Sequence, residues 1–189
     1  LVLIASLEAQ NDEIEQALIT LNKALRRRPK ATGFILLKAN LLMALGDENE
    51  TLKWFEYSSR KNKNNLEIHM AEVRYLIKLN QPKDALEKLK KIIKKWPKAE
   101  EALFIAGLTS IDLKQYELAE QYLVELRYSN QYQNDAYYYL AVNADRKQHY
   151  ETAKAYYRLV DGNLYMVSRR NLIAIYDKQN RLTDALRYL

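Results

Sequence analysis

Residues 102–126 read ALFIAGLTSIDLKQYELAEQYLVEL, and this stretch decides the fold. Ala119 follows Gly107 by twelve residues, and the large apolar Leu123 follows Ala119 by four. A spacing of four places Ala119 and Leu123 one turn apart on one face of a helix. The small Gly107 indicates that a second helix approaches closely. The stretch therefore predicts a pair of packed helices.

The same arrangement recurs along the whole chain at intervals of 34 residues, with a last interval of 32. The small marker residues are Ala17, Thr51, Ala85, Ala119, Ala153 and Ala185. Their apolar partners four residues later are Leu21, Phe55, Leu89, Leu123, Tyr157 and Leu189. The close-approach positions twelve residues earlier are Ala5, Ala39, Val73, Gly107, Ala141 and Ile173. Helical periodicity nearly throughout, with only 4 Gly and 3 Pro, predicts an all-α chain of repeated helix pairs.

This pattern resembles the tetratricopeptide repeat, in which a small residue on a first helix is coupled to Ala-x3-aromatic or Leu on a second. Pro29 and Pro97, twelve residues after Ala17 and Ala85, stand where proline would stop the second helix. The resemblance implies an α-solenoid of about six helix-turn-helix units forming a right-handed superhelix. The units of this single array are expected at about 1–31, 32–65, 66–99, 100–133, 134–165 and 166–189.

Both ends of the sequence fall inside repeats. The segment 1–9 has the pattern of a first helix without its opening turn, and Leu189 belongs to an unfinished second helix. We interpret the chain as a fragment truncated at both ends, with self-association through the exposed repeat ends as one consequence. The fifth unit is two residues short, and Asp161-Gly162-Asn163 marks the loop where the loss is expected.

Two charged residues break the apolar pattern beside the close-approach positions. Lys38 and Glu72 occupy a column that Ala106, Leu140 and Leu172 fill with apolar groups. One hypothesis is that Lys38 and Glu72 form an ion pair across neighbouring first helices, since an isolated buried charge is costly. The alternative is that both apolar stems are packed while the charges reach water.

Catalytic and metal-binding patterns are absent from the sequence. The two histidines, His69 and His149, lie in different units, and a metal site needs three or four converging ligands. Neither a glycine-rich phosphate loop nor a nucleophile motif is present. The absence of cysteine excludes disulfides but leaves the cellular compartment open. We therefore expect no enzyme activity, no cofactor, no metal and no small-molecule substrate.

The net charge of +6 raises the question of anionic partners. Basic residues concentrate in Arg26-Arg27-Arg28 with Lys30 and in the segment 83–98, where lysines alternate with core-facing Leu86, Leu89, Ile92 and Ile93. The simple interpretation is a solvated helix face. This pattern disfavours nucleic acid and leaves contact with an acidic protein or lipid surface open.

In tetratricopeptide arrays the first helices line a concave groove, so helical spacing predicts its side chains. The middle of the predicted groove is apolar, an exposed strip that soluble proteins seldom keep without a partner. The alternative is that superhelical curvature hides much of this strip. The candidate partner-binding residues are Leu36, Asn40, Met70, Arg74, Phe104, Leu108, Ile111, Tyr138, Val142 and Arg170. Tyr138 is the single strongest candidate, because rigid amphipathic rings serve as anchors.

The tetratricopeptide proteins that capture chaperone C-termini hold two carboxylates with lysine, asparagine and arginine at fixed inward positions. Here Leu36, Met70, Phe104 and Tyr138 occupy the column in which the clamp lysine would begin. Asn40 fits one asparagine site, and Arg170 with Asn171 could hold one carboxylate. The sequence therefore favours an apolar or amphipathic protein segment over a carboxylate clamp.

The predicted function is a non-catalytic scaffold or adaptor that binds a protein partner in its groove. Residues 156–165 running into 169–172 also resemble a shortened unit of large tetratricopeptide proteins of Gram-negative bacteria. Some of those are outer-membrane lipoproteins that serve as adaptors for periplasmic proteases, which would imply a periplasmic or membrane-anchored location. Two alternatives remain open: the regulatory array of a larger enzyme, and a self-associating structural part of a bacterial envelope assembly.

Overall fold

The computed structural model describes residues 2–11 and 13–188, and in this part of the chain all regular secondary structure is helical. The chain divides into two compact units, Leu1–Gln81 and Pro82–Leu189. In both units, helices joined by short turns pack on their sequence neighbours. The predicted all-α helical-repeat fold is confirmed.

The first unit contains five of the described helices, and α3 also packs on α5 within it. They are α1 (Val2–Gln10), α2 (Ile14–Arg27), α3 (Thr32–Ala44), α4 (Glu48–Lys61) and α5 (Leu66–Lys78).

The second unit contains seven α-helices in its described residues, and two short 3-10 turns interrupt their succession. The helices are α6 (Pro82–Lys95), α7 (Glu100–Asp112), α8 (Tyr116–Glu125), α9 (Gln133–Arg146), α10 (Tyr150–Leu159), α11 (Tyr165–Lys178) and α12 (Leu182–Leu186). The 3-10 turns are Leu126–Tyr128 and Gly162–Leu164.

The periodic small residues form the core of the helix pairs. All six markers are buried, and none is more than 6% exposed. Their large partners are buried as well from Leu21 to Tyr157, whereas Leu189 lies outside the described residues. The close-approach column is buried from Ala5 to Ala141, but Ile173 is only half-buried. Its neighbour Leu172 is buried, as Ala106 and Leu140 are in the same column. The last unit therefore departs from the predicted packing at Ile173.

The turns inside the helix pairs share a left-handed backbone residue. Gly46, Asn80, Lys114, Gln148 and Asn180 all have φ between 55° and 73° and follow first helices. At four of these turns the next residue donates its N–H to a carbonyl five positions back, as from Gln115 to the Ser110 carbonyl at 2.8 Å. This is the Schellman pattern, which satisfies carbonyls that a helix end leaves unpaired. The turn repeats with the sequence because the helices on both sides repeat.

The second helices end where the sequence places stop signals. The α2 helix ends two residues before Pro29, and α6 ends two residues before Pro97. In the shortened fifth unit, Asn134 exchanges two hydrogen bonds with the Asp161 backbone, at 2.9 and 2.8 Å. Gly162, in the left-handed region at φ 53°, then begins a 3-10 turn. The loop lies where the sequence predicts it.

Lys38 and Glu72 each contact polar or aromatic groups of other helices, which neither interpretation of the two residues predicted. The Lys38 ammonium donates to the Asn22 amide oxygen at 2.8 Å and lies 4.2 Å from the centre of the Trp54 ring. Burial lowers the pKa of Lys38, and the nearby Glu50 opposes this shift. Glu72 is buried and accepts a hydrogen bond from the Ser59 hydroxyl at 2.8 Å. Nearby polar and aromatic groups therefore stabilise both charges locally.

Candidate functional site

The first unit holds a pocket between α3 and α5, which we call the α3–α5 pocket, with a volume of about 290 Å³. Its lining residues are Leu36, Ala39, Asn40, Met43, Phe55, Ala71, Arg74, Tyr75 and Lys78. The α3 residues follow the spacing i, i+3, i+4, i+7, and so do the four from α5. This spacing places each set on one helix face. Two facing helix stripes thus form the walls, and three predicted site residues meet here: Leu36, Asn40 and Arg74.

The α3–α5 pocket has an apolar floor and a polar rim. Phe55 and Tyr75 are almost fully buried, and their ring centres lie 5.6 Å apart. Asn40, Arg74 and Lys78 are exposed. An apolar floor below convergent polar groups is the usual composition of a binding pocket. The two cationic side chains give the rim a positive charge.

Met70 is a correction to the predicted site. The side chain is 2% exposed, so no ligand can reach it in this structure. The α5 residues that line the pocket are Ala71, Arg74, Tyr75 and Lys78, whereas the predicted α5 residues were Met70 and Arg74. The inward face of α5 is therefore turned by about one residue relative to the prediction. Lys78, one helical turn after Arg74, is a rim residue that the sequence analysis missed.

The second unit carries a row of aromatic rings from α7, α9 and α10, with Tyr132 in the turn before α9. Phe104 contacts the ring of Tyr132 at 5.0 Å between centres and that of Tyr139 at 5.7 Å. The row continues from Tyr139 to Tyr138 at 5.1 Å, and from Tyr138 to Tyr157 at 6.0 Å. Edge-to-face pairs of this kind fix ring orientation. Phe104 and Tyr138 were predicted at this surface, while the contribution of Tyr132 was not.

A hydrogen-bonded amide holds two of these tyrosines. The Asn171 side-chain amide donates to the Tyr157 hydroxyl at 3.2 Å and, more weakly, to the Tyr138 hydroxyl at 3.4 Å. Burial raises the pKa of Tyr157 far above its ordinary range, and the hydrogen bond from Asn171 acts in the opposite direction. Burial also raises the pKa of Tyr139. Asn171 therefore positions rings instead of sharing a carboxylate with Arg170.

The remaining predicted residues of the second unit differ in exposure. Leu108 and Ile111 are half-buried and pack on the core below Phe104, and Val142 packs on the core of α9 to α11. Arg170 is exposed on α11. The predicted apolar strip is thus partly buried within the second unit. Its accessible part consists mainly of the edges of aromatic rings.

The described residues contain no group of three or more His, Cys, Asp or Glu side chains that could hold a metal ion. Among the described helices, none has the length and apolar character needed to cross a membrane. The α3–α5 pocket and the aromatic row present apolar, aromatic and cationic groups. Such groups are suited to binding a partner.

Comparison with known proteins identifies the repeat. A family model described as "Tetratricopeptide repeat" matches residues 70–128. This segment, about a third of the chain, is similar to the tetratricopeptide repeat. No curated protein sequence matches the chain.

Solved structures of tetratricopeptide proteins share the fold over most of the chain. A repeat protein from Parabacteroides merdae has a TM-score of 0.73 at 16% identity, covering 99% of this chain and 75% of that one. MamA has a TM-score of 0.73 at 19% identity, covering 83% and 87%. YrrB, described as having an unusual peptide-binding site, has a TM-score of 0.62 at 22% identity, covering 98% and 90%. Tetratricopeptide proteins are protein-interaction modules and are in general non-catalytic scaffolds.

Proposed function

We propose that this protein is a non-catalytic scaffold or adaptor that binds an apolar or amphipathic protein segment on the inward faces of its first helices. The observation that carries the proposal is the α3–α5 pocket. Its floor is apolar and its rim carries Arg74 and Lys78. A peptide with one large apolar side chain followed by an acidic residue would match both features.

The volume of the pocket limits what enters it. About 290 Å³ accommodates one large side chain but no folded domain. The Phe55 and Tyr75 rings below it are fixed by burial, so the pocket exists before the partner arrives. A preformed pocket reduces the ordering cost of binding. We therefore expect a short linear segment as the ligand, anchored by one side chain.

The aromatic row of the second unit supports the same function. Tyrosine rings that are held in place and half-exposed contribute large contact area at a low entropy cost. Tyr138 and Phe104 are the accessible members that we assign to partner binding, with Arg170 as an exposed cation on α11. We treat this row as a second contact region whose ligand is also apolar.

Selection from a random peptide display library tests the proposal. The enriched sequences should combine an aliphatic or aromatic residue with an acidic residue a few positions away. Their affinities would then be measured by fluorescence anisotropy with synthetic labelled peptides. Asn40→Glu places a carboxylate on the cationic rim, where it repels the acidic residue of the ligand, and we expect it to weaken binding by about tenfold or more.

Asn49→Glu is the matched control, because Asn49 is exposed on α4 and does not line the pocket. Both variants add the same side chain to the surface of the first unit. Equal affinity of the two variants for the selected peptides would remove the pocket from the proposal. Failure to enrich any peptide with an apolar anchor would argue against the proposed ligand class.

A specific observation supports self-association as a second candidate function. Leu3, Ile4 and Leu7 on α1 are at least half-exposed. Adjacent exposed apolar residues on one helix are frequent at protein interfaces. Sedimentation equilibrium of the native chain and of Leu3→Lys/Leu7→Lys tests this candidate, since a monomeric native chain would rule it out.

A further inference from the structure

Another pocket of the first unit lies among α2, α3 and α4, and we call it the lysine pocket. Its volume is about 390 Å³. Each helix contributes residues at the spacing of one face, which is i and i+4 on α2 and α3, and i, i+3, i+4 and i+7 on α4. Two of the lining residues are lysines, Lys38 from α3 and Lys53 from α4. Their surroundings differ in burial and in charge.

Lys38 is half-buried, and its nearest partners are neutral. The Nζ atom donates to the Asn22 amide oxygen at 2.8 Å and lies 4.2 Å from the centre of the Trp54 ring. Among the described residues, none places a carboxylate within ion-pair distance of this Nζ atom. Burial lowers the pKa of Lys38, and the more distant Glu50 opposes this shift. The neutral amine is therefore more populated at Lys38 than at an ordinary lysine.

Lys53 shows the opposite behaviour within the same pocket. Its side chain is exposed, and its ammonium forms an ion pair with Glu50 at 2.8 Å. The hydrogen bond to Glu50 raises the pKa of Lys53. A protonated amine has no lone pair with which to attack a carbonyl carbon. The lysine pocket thus contains one amine that can act as a nucleophile and one that is held in its charged form.

The walls of the lysine pocket match a small aromatic molecule. Trp54 and Tyr57 stack with 5.7 Å between their ring centres, while Leu18 and Leu42 line the pocket from α2 and α3. The Trp54 ring is held in place, because its Nε1–H donates to the Ile35 carbonyl at 2.9 Å. Aromatic ligands bind to such walls by stacking and by apolar contact. A volume of about 390 Å³ is enough for a small ring compound.

We propose that Lys38 is a modification site, at which its amine forms an imine with an aromatic aldehyde bound in the lysine pocket. The lone pair of Nζ attacks the carbonyl carbon, and a C–N bond forms. The carbonyl oxygen then leaves as water with the two N–H protons, and a C=N bond remains. The reaction needs no oxidant or reductant, and hydrolysis reverses it. Because Nζ lies beside Trp54, a ring that stacks on the aromatic wall brings its aldehyde group to the amine.

Reductive labelling of the native chain with benzaldehyde and sodium cyanoborohydride near neutral pH tests the proposal. Cyanoborohydride converts the imine into a stable benzylamine, and peptide mapping by mass spectrometry gives the rate at each lysine. Lys38 should react about fivefold or more faster than Lys53. The rate at Lys38 should also saturate with benzaldehyde concentration, since the pocket fills before the reaction. A rate at Lys38 no higher than at Lys53, or one that rises linearly without saturation, would overturn the proposal.

Propanal is the control for recognition of the ring, because it has the same reactive group without an aromatic ring. The ratio of the rate at Lys38 to the rate at Lys53 should be about threefold or more higher with benzaldehyde than with propanal. An equal ratio with the two aldehydes would show that burial alone activates Lys38. That result would overturn the aromatic aldehyde as the ligand class.

Tyr57→Ala removes one aromatic wall and should slow the labelling of Lys38 by benzaldehyde about threefold. Tyr128→Ala is the matched control, because Tyr128 is an exposed tyrosine of the second unit. Both side chains are exposed, so both variants are expected to fold, and circular dichroism would verify this. Equal labelling of Lys38 in the two variants would contradict the assigned wall. The proposal does not depend on the α3–α5 pocket, because labelling of Lys38 requires no bound peptide.

Discussion

A substitution at Gly107 tests the close contact between α7 and α8 most directly, because the surroundings of Gly107 leave no room for a methyl group. A Cβ atom at Gly107 would lie 2.6 Å from Cγ and 2.7 Å from Cδ2 of Leu123. Leu123 is completely buried and belongs to the core of the second unit. The leucine cannot move away without displacing its neighbours, since protein cores are close-packed.

The expected cost of Gly107→Ala follows from two opposing effects. Overpacking a core by one methyl group costs about 1 to 3 kcal/mol. Replacing glycine by alanine inside a helix returns roughly 0.5 to 1 kcal/mol. The free energy of unfolding should therefore fall by about 0 to 2.5 kcal/mol, with a midpoint of roughly 1 kcal/mol. Urea denaturation followed by circular dichroism would measure it.

Gly33→Ala is the matched control. Gly33 lies in α3, and a methyl group there would meet no atom of a neighbouring element within 4 Å. Without a clash, only the helix preference remains, and we expect a gain of up to about 1 kcal/mol. In a Leu123→Ala background the clash at Gly107 also disappears, so Gly107→Ala should become stabilising there. A Gly107→Ala variant as stable as Gly33→Ala would refute the close contact.

Three further predictions concern stability. Burial raises the pKa of Tyr157 above its unfolded value of 10.0, so the stability that comes from its neutral hydroxyl is complete below pH 10 and is lost as the pH rises further. In urea denaturation, the free energy of unfolding of Tyr157→Phe should decrease less at alkaline pH than that of the native chain. An equal decrease in both would contradict the assignment. Gln148→Gly relieves a left-handed residue at φ 62° and should raise the free energy of unfolding by about 1 kcal/mol, whereas a loss of stability would show that the side chain matters more than the backbone. Asn65→Ala removes the cap of α5 and should cost about 1 to 2 kcal/mol, with Asn49→Ala, at an exposed position of α4, as the comparison in thermal denaturation.

The repeat could be predicted from sequence because its signal is periodic and steric. A small residue such as Ala119 or Gly107 is required wherever two helices approach, so it returns at each helix pair. The prolines at 29 and 97 predict helix ends for an equally local reason, the missing N–H. These features need no knowledge of long-range packing.

The turn conformations could not be predicted in the same way. Lys114 and Gln148 adopt the left-handed region without the glycine that normally indicates it. The flanking helices impose this conformation. Of the five turn residues with positive φ that follow first helices, Gly46 alone is a glycine. Tertiary structure here overrides local preference.

The sequence predicted which helix faces form the candidate site, but not how deeply each side chain is buried. Helical spacing placed Leu36, Asn40 and Arg74 on inward helix faces, and all three line the α3–α5 pocket. Their role in partner binding stays a prediction. The spacing failed for Met70, because a rotation of one residue along α5 moves a side chain from the pocket wall into the core.

The sequence analysis considered Asn171 only beside Arg170 in the disfavoured carboxylate clamp, and it did not predict the contacts of the Asn171 amide with two tyrosine hydroxyls. Such contacts depend on side chains that are distant in sequence, and periodicity carries no information about them.

Photo-crosslinking from the rim of the α3–α5 pocket tests the proposed binding function most directly. Asn40→p-benzoylphenylalanine and Asn49→p-benzoylphenylalanine would each be irradiated with a selected peptide that contains an apolar residue and an acidic residue. We predict a crosslink from position 40, mapped by mass spectrometry next to the apolar residue of the peptide, and none from position 49. Crosslinks of equal yield from both positions, or from position 49 alone, would contradict binding in the pocket.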